Sequence, residues 1–457
     1  MSRTRDFLGH HVTALEGEIL SDRAEQDVSA AREEGTEASE LTTLSRRDFL
    51  LGTGAAAVML AGGFSAVRAE QESGPVSVGF ILPTEGPLAD QAKSLMAGFD
   101  LRLVEEGDTA RRLKLVKKDP GAHGEKILEG VAVLVMKQEV RFLVGPLGLE
   151  ASEQAIHGLS GAEVIHFVTN PAVRLVGGEL CVPGSFRLCP NTYQRSRPLS
   201  PWALSKIGQK VFLTGSDDWL GNEVADFFAE GFERAGGSFV DRKMVTGDTG
   251  SFEPVLEAIR KGGPDFVFAS FRDEAAKAFV KSYRQATPRF SQPIVGPESL
   301  TEYPATLAAL GDLANGIRTL SSLKDPVTLT QQIKERLDRK ISHVSSAAEG
   351  YDIAGIICKA VKNAGQSEWD HKKVVESIAQ MEIDGPRGTV RFDKNHEPIL
   401  NVMVQQWEIR GESRSRKVVD DLGSCSSPDF GCGRIGFPRK PEPPDEDKGE
   451  ESKESQD

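Results

Sequence analysis

The stretch Val76 to Glu106, VSVGFILPTEGPLADQAKSLMAGFDLRLVEE, decides the fold. Val76, Val78, Phe80 and Leu82 mark an extended, mostly apolar run that breaks at Pro83 and again at Gly86-Pro87. Beyond the break, Ala92, Leu95, Met96, Phe99 and Leu103 recur at spacings of three and four in a segment without proline, which puts them on one face of a helix. The reading is strand, tight loop, helix. The N–H groups at the start of that helix would face the space beyond the strand's carboxyl end, where open α/β sheets bind ligands.

Outward from this unit the same alternation continues. Strands are expected at 113–117, 142–144 and 164–168, with helices at 122–137 and 150–159 between them. The pattern lapses into Pro, Ser and Asn over 186–201, read as a crossover between lobes. A second set then follows, with strands at 210–213, 238–245, 266–269 and 293–295 and helices at 223–235, 252–261 and 274–285. Repeated β-α units imply parallel sheets covered by helices on both faces.

The 457 residues are 39% hydrophobic and 27% charged, long enough for two domains, and carry a formal charge of −13. That balance excludes a nucleic-acid partner, because binding phosphates needs a basic surface. Pro441 to Asp457 holds eight acidic residues against Lys448 and Lys453, and residues 1–44 are likewise polar, so neither end is expected to join the fold. Residues 45–69 hold Ser45-Arg46-Arg47-Asp48-Phe49-Leu50, then an uncharged Gly/Ala/Leu run and Arg68-Ala69. This three-part pattern resembles a twin-arginine export signal, and the resemblance implies a periplasmic protein handled by the twin-arginine translocase. A retained membrane anchor is the alternative.

Five cysteines fit an oxidising compartment. Cys181 and Cys189 flank a turn sequence and are expected to pair, as are Cys425 and Cys432 around a second loop, while Cys358 falls in an apolar helical run as a buried free thiol. The spacings match no zinc site, and neither metal nor cofactor is expected.

Several motifs recur in a shared order: Leu82-Pro83-Thr84-Glu85-Gly86-Pro87, Val144-Gly145-Pro146, Thr169-Asn170-Pro171, Asp218-Trp219-Leu220-Gly221, Val295-Gly296-Pro297-Glu298 and Gly385-Pro386-Arg387-Gly388-Thr389-Val390-Arg391-Phe392. Over about residues 75–410 the chain thereby resembles the leucine/isoleucine/valine-binding family of periplasmic solute-binding proteins, receptors for ABC transporters. The resemblance implies an α/β fold of two Rossmann-like lobes with parallel sheets joined by a three-strand hinge. Lobe one would take 75–188 and 322–384, and lobe two 189–321 and 385–410, with 411–457 as an extension.

It also implies where a small-molecule ligand binds. An amino acid's carboxylate would meet N–H and hydroxyl groups around Gly148 and Ser152 and at Thr169 and Asn170. Glu298 would receive its ammonium, and Trp219 would form an aromatic wall. Arg272 stands near another wall position, as an anchor for a second carboxylate or as a surface arginine. The chain departs from the family pattern at Leu147-Gly148-Leu149-Glu150-Ala151, which lacks the usual hydroxyl cluster, and at Leu220, where a tyrosine is common. The function implied is capture of an amino acid or related small polar or carboxylate solute and its presentation to a membrane permease. A sensor or structural module on the same fold is the alternative. An exported enzyme stands behind both, since the chain has no G-x-S-x-G or H-E-x-x-H motif.

Overall fold

Val78 and Phe80 turn to one side of strand β1 (Val76–Ile81) and Ile81 to the other, and all three are fully buried. Burial on both faces is what a parallel sheet between helices requires. The computed structural model describes residues 74–432, apart from 122–123, 125, 247–250, 287–291, 366–368 and 412. The N-terminal arm, the twin-arginine-like segment and the acidic tail lie outside the described residues.

The first lobe is a parallel sheet in the order β2-β1-β3-β4-β5, with β2 at Leu113–Lys118, β3 at Phe142–Val144, β4 at Ile165–Val168 and β5 at Ser185–Arg187. Helices α1 (Ala89–Glu106), α2 (Ile127–Ala132) and α3 (Leu149–Gly158) connect its strands. One face packs Phe80, Phe142 and Phe167 against Phe99 of α1, and the other buries Ile81, Leu143, Ile127 and Ala155. Full burial of such side chains contributes about 1.5 to 3 kcal/mol each.

The second lobe carries α4 (Leu199–Lys206), β6 (Lys210–Ser216), α5 (Trp219–Arg234), β7 (Ser238–Val245), α6 (Glu253–Gly262), β8 (Phe266–Ser270), α7 (Asp273–Gln285), β9 (Ile294–Pro297), α8 (Ala305–Leu310) and β10 (Arg318–Ser321). The chain then returns to the first lobe as α9 (Pro326–Leu337), α10 (Val344–Ala364) and α11 (His371–Ala379). Backbones of α1 and α10 touch there. A Cβ added at Gly98 would lie 1.7 Å from the Ala347 carbonyl oxygen, and one at Gly350 would lie 1.9 Å from that of Leu95.

Four strands close the chain: β11 (Ile383–Gly385), β12 (Gly388–Phe392), β13 (Pro398–Arg410) and β14 (Ser413–Cys425). The second sheet runs β11-β12-β13-β10-β9-β8-β6-β7, with β14 paired to β13. Its contacts are parallel from β10 through β7 and antiparallel around β13. The chain crosses between lobes three times: after β5, after β10, and within β13. At the last crossing Val390, Phe392 and Leu400 pack in the first core, and Val402 and Val404 in the second. The expected lobe-two segment 385–410 thus contributes to both cores, and β14, which falls in the expected extension 411–457, pairs with β13 of the second sheet.

The cysteines pair differently from the expectation. The disulfide joins Cys181 to Cys432, 251 residues apart, while Cys189, Cys358 and Cys425 are buried free thiols. The reason is local. Residues 185–187 are a strand rather than the arm of a hairpin, so Cys189 is carried away into the core. Residues 426–432 leave β14 and reach the first lobe, where Phe430 N–H donates to the Gly177 carbonyl (3.0 Å), while the Phe430 ring packs on Tyr193 of the first crossing and Phe227 of α5 in the second lobe.

Candidate functional site: an interlobe cavity at the hinge

Segments far apart in sequence meet where the chain crosses between lobes. Pro190, Gln194 and Arg195 come from the first crossing, Glu298, Ser299 and Glu302 from the turn after β9, Leu320 to Leu323 from the end of β10, Ser345 and Ala348 from the first turns of α10, Arg387 from the turn between β11 and β12, and Val402 from the last crossing. They enclose a cavity of about 30 Å³, room for a water or two and nothing larger.

Charge in this cavity is unevenly answered. Glu298 Oε1 accepts from Ser321 Oγ (2.8 Å) and from Arg416 Nη2 (3.1 Å), so its carboxylate is paired within the protein. Glu302 reaches across the lobes to the start of α10, accepting from Ser345 N–H (3.2 Å) and Oγ (3.3 Å), a carboxyl at a helix N-terminus. Burial, and then the nearby charge of Glu298, hold its pKa above the usual carboxylate range. Glu349, also on α10, is buried and pushed up to about 7 despite the neighbouring Arg387 and Arg195. Arg387 is matched by Asp352 at 2.7 Å, both side chains inaccessible. Arg195 donates from Nε to the Pro190 carbonyl (2.9 Å) and forms no ion pair among the described residues. Arg195, without an ion pair among the described residues although the buried Glu302 and Glu349 feel its charge, therefore faces a cavity lined also by Glu298, Glu302, Arg387, hydroxyls and apolar walls.

The sequence profile of the periplasmic binding proteins matches residues 75–414, nearly the whole of both lobes. The chain belongs to the periplasmic binding protein family. Among curated relatives, Leu/Ile/Val-binding protein homolog 6 of Brucella suis is 27% identical over 355 residues, covering 75% of this chain and 90% of the relative. A solute-binding protein of an ABC transporter from R. palustris, solved in complex with benzoate, superposes with a TM-score of 0.68 at 21% identity, over 79% of this chain and 100% of that one. A branched-chain amino acid transporter substrate-binding protein from Streptococcus pneumoniae, solved with isoleucine, gives 0.61 at 19%, over 76% and 99%. The family and fold relatives are solute-binding proteins, not enzymes.

In this periplasmic binding protein, Glu298 lines the hinge cavity and the other expected site residues do not. Ser152 is fully buried, its Oγ donating to the carbonyls of Gly148 (2.7 Å) and Pro146 (3.1 Å). Thr169 Oγ1 donates to the same Pro146 carbonyl at 2.9 Å, and Asn170 Oδ1 accepts from Ala172 N–H at 3.0 Å. These polar atoms are consumed in shaping the loop, which Gly148 enters at φ 88°, a conformation that favours glycine. Trp219 begins α5 and is 37% exposed. Arg272 is held by Asp218 through two contacts of 3.0 and 3.1 Å, while Asp218 also caps α5 by accepting from Gly221 N–H. Arg195, Glu302, Ser345 and Arg387 escaped the sequence reading. The one usable signal was the place of Arg195 in a crossover segment, since such segments line the cleft wherever two lobes share a hinge.

Proposed function

We propose that this protein is the solute receptor of an ABC importer and that its solute is a small carboxylate with an apolar body. Arg195 carries the reading: it is a guanidinium with no ion-pair partner among the described residues, at the hinge of an interlobe cavity. A carboxylate is its natural complement, since a guanidinium donates two parallel N–H bonds to one. Leu320, Leu323, Ala348 and Val402 supply apolar walls for the rest of such a molecule. Benzoate and isoleucine, the ligands of two structural neighbours, are both carboxylates with apolar bodies. Contacts from both lobes exist together only when the lobes are closed, so the solute shifts the population toward the closed form that a permease would recognise.

A thermal-shift panel of aliphatic and aromatic carboxylates, amino acids and uncharged amides tests this. Stabilisation by carboxylates and not by the matched amides is expected; stabilisation by amides alone would contradict it. Export to the periplasm by the twin-arginine route belongs to the same reading. Changing Arg46 and Arg47 to lysine should leave precursor in the cytoplasm, and unaffected secretion would count against that route.

A further inference from the structure

Arg416 stands at the centre of a relationship that the family resemblance does not supply. It lies on β14, opposite Trp407 of β13 and over that ring, 5.5 Å from its centroid. Its side chain is 6% exposed and its Nη2 is 3.1 Å from Glu298 Oε1. Asp325 also feels its charge, but the Asp325 oxygens are occupied capping α9, accepting from Val327 N–H, Thr328 N–H and Thr328 Oγ1. Ser321 Oγ supplies Glu298 with a second donor. Glu298, one of the two acids lining the cavity, is therefore satisfied from behind before any solute arrives.

We propose that Arg416 is a specificity-determining residue: an internal counter-ion that takes the place of a ligand ammonium at Glu298 and turns the cleft toward carboxylates lacking an α-amino group. The assignment rests on the carboxylate reading of the solute given above. An incoming ammonium would have to displace a buried guanidinium, or sit beside it, and like charges in so enclosed a site repel strongly. A carboxylic acid without the amine meets no such obstacle and keeps Arg195 as its partner. A stretch that reads as polar extension thus supplies the determinant, because β14 returns along β13 and delivers position 416 to the turn after β9.

The test uses the whole mature protein and two matched pairs of probes, 4-methylpentanoate with leucine and 3-phenylpropanoate with phenylalanine. Calorimetry on the wild type should show the deaminated acid preferred in at least one pair. Arg416→Gln frees Glu298, and affinity for the amino acid of that pair should rise about ten- to a hundredfold, the range of one charge-assisted hydrogen bond. Arg416→Lys should keep the wild-type preference, and Glu298→Gln combined with Arg416→Gln should remove the gain, results that a merely structural role for Arg416 would not produce. If neither acid binds the wild type, the carboxylate reading falls and this assignment with it. If acids bind through Arg195 but Arg416→Gln leaves the discrimination against the amine unchanged, this assignment alone is overturned.

Discussion

His343, the residue before α10 in the first lobe, places Nε2 3.3 Å from Oδ1 of Asp273, the first residue of α7 in the second. A contact that spans the cleft is thereby also a titratable one. Burial lowers the His343 pKa, but the Asp273 carboxylate, helped by Glu302, more than offsets this and leaves it raised above the ordinary value. A raised histidine contributes fully below its unfolded pKa, and the contribution is lost as pH rises through the folded value. Solute affinity should therefore weaken by about two- to fivefold on passing from pH 6 to pH 8.5, the scale of a partly exposed ion pair. Asp273→Asn should remove that component of the pH profile, and an unchanged profile would show that the pair does not report closure.

Glu349 gives a second pH dependence, in stability rather than affinity. Its folded pKa of about 7, raised by burial, means that the native state binds a proton which the unfolded chain releases nearer pH 4.5. The associated stability is present below the unfolded value and is lost as pH rises through about 7. Thermal melts from pH 5 to pH 8 should show a falling midpoint, and Glu349→Gln should flatten the slope. A wild-type midpoint that rises over this range would contradict the assignment.

The Cys181–Cys432 bond closes a long loop and ties the segment after β14 to the first lobe. Removing a native disulfide typically costs about 2 to 4 kcal/mol. Reduction, or Cys432→Ser, should lower the melting temperature by roughly 2 to 4 °C per kcal/mol lost. Peptide mapping of oxidised protein should recover the 181–432 pair with Cys189, Cys358 and Cys425 free; a 181–189 crosslink would refute it.

Gly98 and Gly350 let α1 and α10 meet backbone to backbone. Gly98→Ala drives a methyl into the Ala347 carbonyl and should destabilise the first lobe by about 1 to 3 kcal/mol, the cost of overpacking. Chemical denaturation measures it, and a neutral result would mean that the helices can separate freely.

What the sequence reveals follows from what hydrophobic periodicity can report. The first unit and the alternation through both lobes are legible because apolar residues recur two, three or four positions apart; the strand at 142–144 shows as a wholly buried apolar run, and 238–245 shows through its apolar ends although only Val245 is buried. Gly98 could be noticed as part of a motif, but its contact with Ala347 could not. β14 is invisible to such reasoning, since an outer strand with most of its residues exposed has no apolar alternation to display. Arg195 sits in a crossover segment read as connection, and the partner of Cys181 is 251 residues away. Glu298 was legible by resemblance, but its pairing with Arg416 depends on long-range strand pairing and so required the structure.

If Arg195 receives a solute carboxylate as the lobes close, its loss must show in calorimetry on Arg195→Ala against the wild type. With the tightest-binding carboxylate from the thermal-shift panel, affinity should fall at least tenfold, since one charge-assisted hydrogen bond contributes about 1.5 to 3 kcal/mol, with the unliganded melting temperature nearly unchanged. Equal affinity in the two proteins would contradict it.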